Sequence, residues 1–490
     1  MSRPVFERGL ALLLRVVSRL LLAFLSLVQS FGSRDLRPVP PAVQPLLLLP
    51  GVELARRIRQ RQVKCVDVIQ EYINRIRVIN PIVNAVVAER FASALKEAQK
   101  VDDRIAKGNE DEKLLEETVP YLGVPFTVKE AIALEGSPNS SGLVSRKNVI
   151  ALTDAAVVTN LRKAGAIPLG VTNCSELCMW YESSNNVYGT TRNPYNVDRI
   201  VGGSSGLVPN DGQFPNATGL KAEFLCTGPM CRYADDLIPM FKVMAGPNIS
   251  KVKLDEEVLI KKVKFYSMEH DGGSPFLSKV DKELIHAQRR LTEYLEVQFG
   301  VQVQQVQIRK MKYAFQIWSA MMTASEADGK EFKSFKDLMA DGGKEIKPLW
   351  ELMKKALGIS PHTFPAIGLG IVEDLAKVDH SSNVKLMNMC HNLQAELSSL
   401  LGDDGVFLYP SHPKIAPRHH HPKLMPFNFA YTAIFNVLGL PVTQCPLGLS
   451  KDGLPLGIQL VANHHNDHLC LHVAQHLETA FGGWQNPGAS

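Results

Sequence analysis

A lysine closing an apolar run, two serines among glycines and a polar loop rich in hydroxyls and amides are the groups that could do chemistry in this 490-residue chain. The lysine ends Gly123-Val-Pro-Phe-Thr-Val-Lys129-Glu130. At the end of a strand it is either a surface charge or a buried base, because burial strips hydration from the charged form and lowers a lysine's pKa. The serines lie in Gly202-Gly203-Ser204-Ser205-Gly206. Paired glycines permit unusual dihedrals and close backbone approach. The same string fits the G-x-S-x-G nucleophile elbow, which needs a strand before it and a helix directly after it. Pro209 and Gly212 follow too soon for a long helix, and an ordinary polar turn is the plainer reading. The third piece runs from Gly170-Val-Thr-Asn173-Cys-Ser-Glu176 to Tyr188-Gly189-Thr-Thr-Arg192-Asn193-Pro194, a polar and aromatic composition suited to the wall of a site.

The elements that would position these groups read as α/β. Val68, Ile69, Tyr72, Ile73 and Ile76 follow helical spacing, as do Phe91, Ala94, Leu95, Ala98, Val101 and Ile105. The charged stretch from Lys107 to Glu117 is expected to be a solvated loop. Leu122 to Val128 reads as a buried strand. Thr153 is expected to cap a helix that runs to about Lys163 and stops at Gly165, before an apolar strand from Ala166 to Val171. Residues 250–400 read as mostly helical, with a half-buried strand at Val301 and Val303. Another strand, Leu456 to Val461, and a helix from about Asp467 complete the tail. Strand-helix-strand order with short connections favours a parallel or mixed sheet covered by helices.

In order and spacing the three pieces resemble the amidase signature family: strand-lysine, then Thr-Asn-x-Ser-Glu, then Tyr-Gly-x-x-x-Asn-Pro, then Gly-Gly-Ser-Ser-Gly. The resemblance continues through Asp404-Gly405, Tyr409-Pro410, Ala416-Pro417, Leu438-Gly-Leu-Pro441 and Asp452-Gly-Leu-Pro-Leu-Gly457, and covers residues 46–480. It implies an amidase-signature α/β fold, a central twisted mixed sheet with helices on both faces. The amidase domain would span residues 46–485. It also implies a cofactor-free and metal-free mechanism, in which a neutral lysine deprotonates a serine held by a cis peptide bond. That serine in turn deprotonates a nucleophilic serine, and an acyl-enzyme forms. By resemblance Lys129 is the base and Ser204 the relay, with Gly203-Ser204 the cis bond. Gly202, Gly203 and Ser205 support the site, and Cys178 lines the substrate channel. Pro45-Leu-Leu-Leu-Leu49, Met179-Trp180-Tyr181-Glu182-Ser183-Ser184-Asn185 and the apolar N-terminus resemble the branch acting on fatty-acid amides such as N-acylethanolamines.

One member is absent. The family sets its nucleophile about 24 residues beyond the relay serine, in a second glycine-rich loop whose amides form the oxyanion hole. Here Gly228 and Pro229 stand at that distance, and no serine occurs from Gly206 to Ile249. The chain passes from Gly206 into Leu207-Val208-Pro209, as though a core segment were excised near residues 206–207. The loss of covalent catalysis and of an oxyanion hole, alone worth about 10²–10³ in rate, predicts an impaired amidase. A non-catalytic or misfolded splice product and an amidotransferase-type subunit are the alternatives. Asp271-Gly272-Gly273-Ser274, the other glycine-glycine-serine, reads as a turn.

Residues Leu10 to Val28 are apolar apart from Arg15, Ser18, Arg19 and Ser26. The stretch is long enough to cross a bilayer, although each arginine costs roughly 2.5–3.5 kcal/mol near the centre of a span. Arg8, Arg15 and Arg19 share one helical face, which also suits a helix lying in the headgroup zone. A cleaved signal peptide is the third option. Residues 1–33 are therefore expected to be an N-terminal anchor to an intracellular membrane, and 34–45 a linker. Lys and Arg number 54 against 49 Asp and Glu, without a basic stripe, so no nucleic-acid partner is expected. Eight cysteines form no disulfide framework. Zinc at Cys174 and Cys178, or at Cys226 and Cys231, is disfavoured. His468, His472 and His476 are expected on a solvated helix face, and His419-His420-His421 in a loop.

Overall fold

A computed structural model describes residues 38–201, 210–216, 224, 227–323, 333–376 and 380–489. The apolar stretch Leu10 to Val28 and residues Gly202, Gly203, Ser204 and Ser205 lie outside the described residues. Among the described residues no helix is long and apolar enough to cross a membrane.

The strands are β1 (Val86–Glu89), β2 (Pro125–Lys129), β3 (Ile167–Thr172), β4 (Ser184–Asn185), β5 (Gly189–Thr190), β6 (Lys264–Ser267), β7 (Val303–Gln305), β8 (Gly405–Tyr409), β9 (Val442–Leu449) and β10 (Pro455–Val461). They form a three-stranded sheet β1-β3-β2, a five-stranded sheet β7-β6-β8-β10-β9 and the hairpin β4-β5. Pairing is mixed in both larger sheets. β2 runs parallel to β3 and β1 antiparallel to it, while β6 runs parallel to β7 and β8 and the rest of that sheet is antiparallel. The single central sheet expected from the sequence is thus divided into two among the described residues, with β2 and β9 as edges.

β8 is buried along its whole length because helices cover both faces. Val406 and Leu408 join Phe265, Ile458 and Leu460 under the helices Lys282–Phe299 and Asp467–Phe481. Phe407 and Tyr409 join Ile317, Leu393, Leu397, Ile434 and Phe435 from the helices Ala314–Thr323, His380–Leu401 and Ala430–Val437. This is the period-two alternation of a strand between two layers. The three-stranded sheet has a separate core. Val128, Ile167, Leu169 and Val171 pack with Leu54, Ile58, Ile69, Ile73, Ala94 and Val158 from four helices.

Several local expectations change. The charged stretch after Lys107 holds a helix, Glu112–Thr118, capped by Asp111, whose carboxylate accepts from the Leu114 N–H at 2.7 Å. The helix before β3 starts at Ala156, and Thr153 does not cap it. Asp154 instead accepts from the Glu135 N–H at 2.8 Å and from Arg162 at 2.9 Å. On the helix Asp467–Phe481, His468 is buried and only His476 is exposed, which corrects the solvated-face reading.

Candidate active site

Lys129 is the last residue of β2, paired in register with Thr172 of β3, and its side chain is exposed. The next residue, Glu130, is completely buried. Its carboxylate accepts from the Ser140 N–H and hydroxyl, both at 2.6 Å, from the Ser141 N–H at 2.7 Å and from the Tyr188 hydroxyl at 2.9 Å. A buried carboxylate persists only when its oxygens are satisfied, and these donors do so. They also fold the segment Asn139–Gly142 under the end of β2.

The loop after β3 is built on amide side chains. Asn173 Oδ1 accepts from the Cys174 N–H at 3.0 Å and from the Asn185 amide at 2.8 Å. Asn185 Oδ1 in turn accepts from the Val187 and Tyr188 N–H groups at 2.9 and 2.7 Å. Asn185 thus links the Thr-Asn-x-Ser-Glu motif, through Asn173, to the start of the Tyr-Gly motif, through the Tyr188 N–H.

Glu176 and Glu182, both buried, fasten the loop to distant parts of the chain. Glu176 lies 2.8 Å from His362 Nδ1 and accepts from the Thr363 N–H at 2.6 Å. Glu182 lies 2.9 Å from His419 Nδ1 and accepts from the His420 N–H at 3.3 Å. His419, through its ring, and His420, through its backbone, therefore brace the loop.

Between the two fastenings, Leu177 and Cys178 adopt left-handed dihedrals, with φ of 54° and 57°. Ser141 does the same at 52°, and its carbonyl accepts from the Leu177 N–H at 2.8 Å. Three non-glycine residues in this region at one point mark backbone held by its surroundings. The turn brings Cys178 Sγ to 3.6 Å from Ser141 Oγ. Cys174 Sγ lies 3.9 Å from Glu130 Oε2. The Cys174 thiol and the Lys129 ammonium both face Cys178 and favour its thiolate, lowering its pKa to about 5. Cys174 is pushed up by its hydrogen bond to Cys178 and by burial, and stays a thiol. The Cys178 charge in turn raises Lys129, so among these neighbours the lysine is held as a cation. The neutral lysine implied by the family mechanism would need a different neighbour from a cysteine thiolate.

Of the residues singled out in the sequence, Lys129 and Cys178 come together. Gly202, Gly203, Ser204 and Ser205 lie outside the described residues. Sequence reasoning missed Glu130, Ser141, Glu176, Glu182, Tyr188 and His362. The available signal was the carboxylates themselves, each embedded in a stretch of small, amide and aromatic residues where an unpaired charge would be costly. Asp271-Gly272-Gly273-Ser274 is a turn after β6: the Asp271 carboxylate accepts from the Gly273 and Ser274 N–H groups at 3.3 and 2.8 Å. Among the described residues no three His, Cys, Asp or Glu side chains are grouped to hold a metal ion.

The chain is 54% identical to the human protein named fatty-acid amide hydrolase 2, across 94% of this chain and 93% of that one. It is 50% identical to fatty-acid amide hydrolase 2-A of Danio rerio, across 100% of this chain and 99% of that one. The Danio alignment occupies 528 positions against 490 residues here, so about 38 positions have no counterpart in this chain. A solved structure titled fatty acid amide hydrolase superposes with a TM-score of 0.67 at 16% identity, covering 90% of this chain and 87% of that one, a likeness of fold. The model of the family described as Amidase matches residues 67–207 and then 206–471, two stretches that meet where the sequence breaks from the family pattern. With more than half of its length matched and its fold shared, the chain belongs to the amidase family.

Proposed function

We propose that this chain is a fatty-acid amide hydrolase by descent, acting on lipid amides such as N-acylethanolamines in its lineage, and that it lacks amide-hydrolysing activity itself. The observation that carries this reading is the junction at residues 206–207. The two family matches meet there, and no serine follows until Ser250. In this reading Lys129 and Ser204 are two members of a proton relay whose attacking hydroxyl is gone. The amides that would hold the oxyanion are gone with it, and those donors alone are worth about 10²–10³ in rate. Among the described residues β2, which ends at Lys129, is an edge strand, and the missing segment would come next to it, which supports the same reading. The N-terminal stretch Leu10 to Val28 would attach the body to a membrane, from which a lipid amide arrives.

The test compares the full chain with a version carrying the corresponding segment of the human relative between Gly206 and Leu207. Each is given a fluorogenic long-chain acyl amide and a fluorophosphonate probe. The native chain is expected to show neither turnover nor serine labelling. The restored chain is expected to show both, and to lose turnover in Lys129→Ala. Turnover by the native chain that is abolished by the fluorophosphonate, with a modified serine identified by peptide mass, would overturn the proposal. Ammonia transfer to a glutamyl-tRNA in place of hydrolysis would also overturn it.

A further inference from the structure

We propose that the helix Pro348–Ala356 and the turn after it form a docking surface for a lipid bilayer, lying flat on the membrane and favouring anionic headgroups. The helix is turned inside out. Its outward side carries Leu349, Trp350 and Met353, which are 70%, 58% and 60% exposed, and Leu357 just past its end is 73% exposed. At 100° per residue these four fall within one arc of about 100°. Roughly opposite them Glu351 is buried. Ile359 in the following turn, 66% exposed, and the exposed Phe364 at the start of the next helix extend the patch.

A surface helix ordinarily turns its apolar stripe to the core and its charges to water. Here the carboxylate is satisfied inside the protein. The Ser360 hydroxyl donates to Glu351 Oε2 at 2.7 Å, and Lys354 pairs with the other oxygen. Large apolar side chains are left on the outside, among the described residues uncovered by any other part of the chain. That arrangement is favourable where the outer medium is itself apolar, because burial there removes the exposed surface from water.

The shape and charge of the patch favour a bilayer over a protein partner. Side chains more than half exposed stand out as a ridge and do not line a groove, so they suit a fluid surface into which they can sink. Tryptophan is enriched where membrane meets water. Lys344 and Lys347, both exposed, lead into the helix, and Lys355 lies within it. With Glu351 buried against Lys354, Glu345 is the one exposed acid between residues 344 and 358. The segment therefore offers positive charge to anionic headgroups and apolar side chains to the acyl boundary, as interfacial helices do. Nine residues are too few to span, so the helix lies on the membrane.

The platform is fixed to the candidate site. The His362 N–H donates to Ser360 Oγ at 3.2 Å, and the His362 ring meets Glu176 at 2.8 Å. The Asn186 amide donates to the Pro361 carbonyl at 2.8 Å. A membrane seated on the patch is thereby held against the loop that carries Glu176 and Asn186. This contact is separate from the N-terminal stretch and stands whether or not the chain turns over lipid amides.

The test uses the full chain and vesicles of phosphatidylcholine, with and without phosphatidylserine, whose acyl chains are brominated close to the headgroup. Bromine quenches a tryptophan that enters the acyl boundary. The chain has four tryptophans, none of them in residues 1–37, so the N-terminal stretch gives no signal. The native chain is expected to lose fluorescence on brominated vesicles, and to lose more when phosphatidylserine is present. Trp350→Phe should abolish the bromine-dependent loss, and so should Leu349→Glu combined with Met353→Glu. Lys344→Gln with Lys347→Gln should remove the gain from phosphatidylserine and keep the loss on phosphatidylcholine alone. All five positions are exposed, so the variants should keep the native thermal midpoint, and the native measurement needs no variant. Native fluorescence indifferent to bromine, or a loss that persists in Trp350→Phe, would overturn the proposal. So would a dimer in sedimentation that is lost in the Leu349→Glu, Met353→Glu chain while Trp350 stays unquenched, which would make the patch a contact between two copies.

Discussion

His362 Nδ1 lies 2.8 Å from Glu176 Oε1, with both side chains buried and the two residues 186 positions apart in the chain. The second oxygen of Glu176 accepts from the Thr363 N–H at 2.6 Å. The loop bearing Cys178 is therefore tied through one carboxylate to the segment preceding the helix Phe364–Ala376. Removing one partner of such a buried hydrogen-bonded pair leaves the other unsatisfied, which costs about 1–3 kcal/mol. Glu176→Ala is expected to lower unfolding stability by that amount. The double variant with His362→Ala should cost clearly less than the sum of the two single changes, as a double-mutant cycle by urea denaturation would show. Additive effects would mean the contact is incidental.

Glu130 is expected to be less tolerant still. Four donors converge on its carboxylate within 2.9 Å, and two of them are backbone N–H groups that cannot turn away. Glutamine in its place would turn an amide N–H toward donors already pointing inward. An unmet buried donor costs about 1–3 kcal/mol, so Glu130→Gln should lower stability by at least about 2 kcal/mol. A fall of the thermal midpoint by less than a degree would show that the pocket relaxes around the change.

The elements carrying the site were legible where local pattern and tertiary environment agree. The apolar runs before Lys129 and Thr172 became β2 and β3, and the helix from Asp467 starts at that residue. The pairing of Asn173 with Asn185 was visible only as two motifs in order, because nothing local shows that one amide will hold the other's loop. Glu130 was quoted beside Lys129, yet its burial depends on Ser140, Ser141 and Tyr188, brought in by folding. The histidines at positions 468, 472 and 476 advance about 40° per step around a helix, so they drift from the buried side to the exposed side instead of sharing one face. Asp111 was a local cap signal outweighed by the charge around it.

Gly170 lies in the apolar strand β3 where β1 crosses closely. A Cβ added there would sit 2.2 Å from the Ala88 carbonyl oxygen and 3.1 Å from the Glu89 Cα, both backbone atoms that cannot swing aside. Gly170→Ala should break the β1–β3 pairing and cost about 3 kcal/mol or more. Gly368, inside the helix Phe364–Ala376, has nothing within 4 Å of its added Cβ. Gly368→Ala should stabilise by up to about 1 kcal/mol. Equal effects of the two substitutions would remove the steric explanation.

Asp467 begins the last helix with its carboxylate buried and one oxygen, Oδ2, without a hydrogen-bond partner among the described residues. Burial raises its pKa from an ordinary 3.8 to about 6. The folded state thus holds the proton more tightly than the unfolded chain does. Its contribution to stability is complete below about pH 3.8 and is lost as the pH climbs through 6. Asparagine mimics the protonated form. Asp467→Asn should therefore stabilise the fold by about 2–3 kcal/mol at pH 7.5 and by little at pH 4. Urea denaturation of both proteins at the two pH values measures the difference. If it is the same at pH 4 and 7.5, the carboxylate is better solvated than its position implies and this account of the helix start fails.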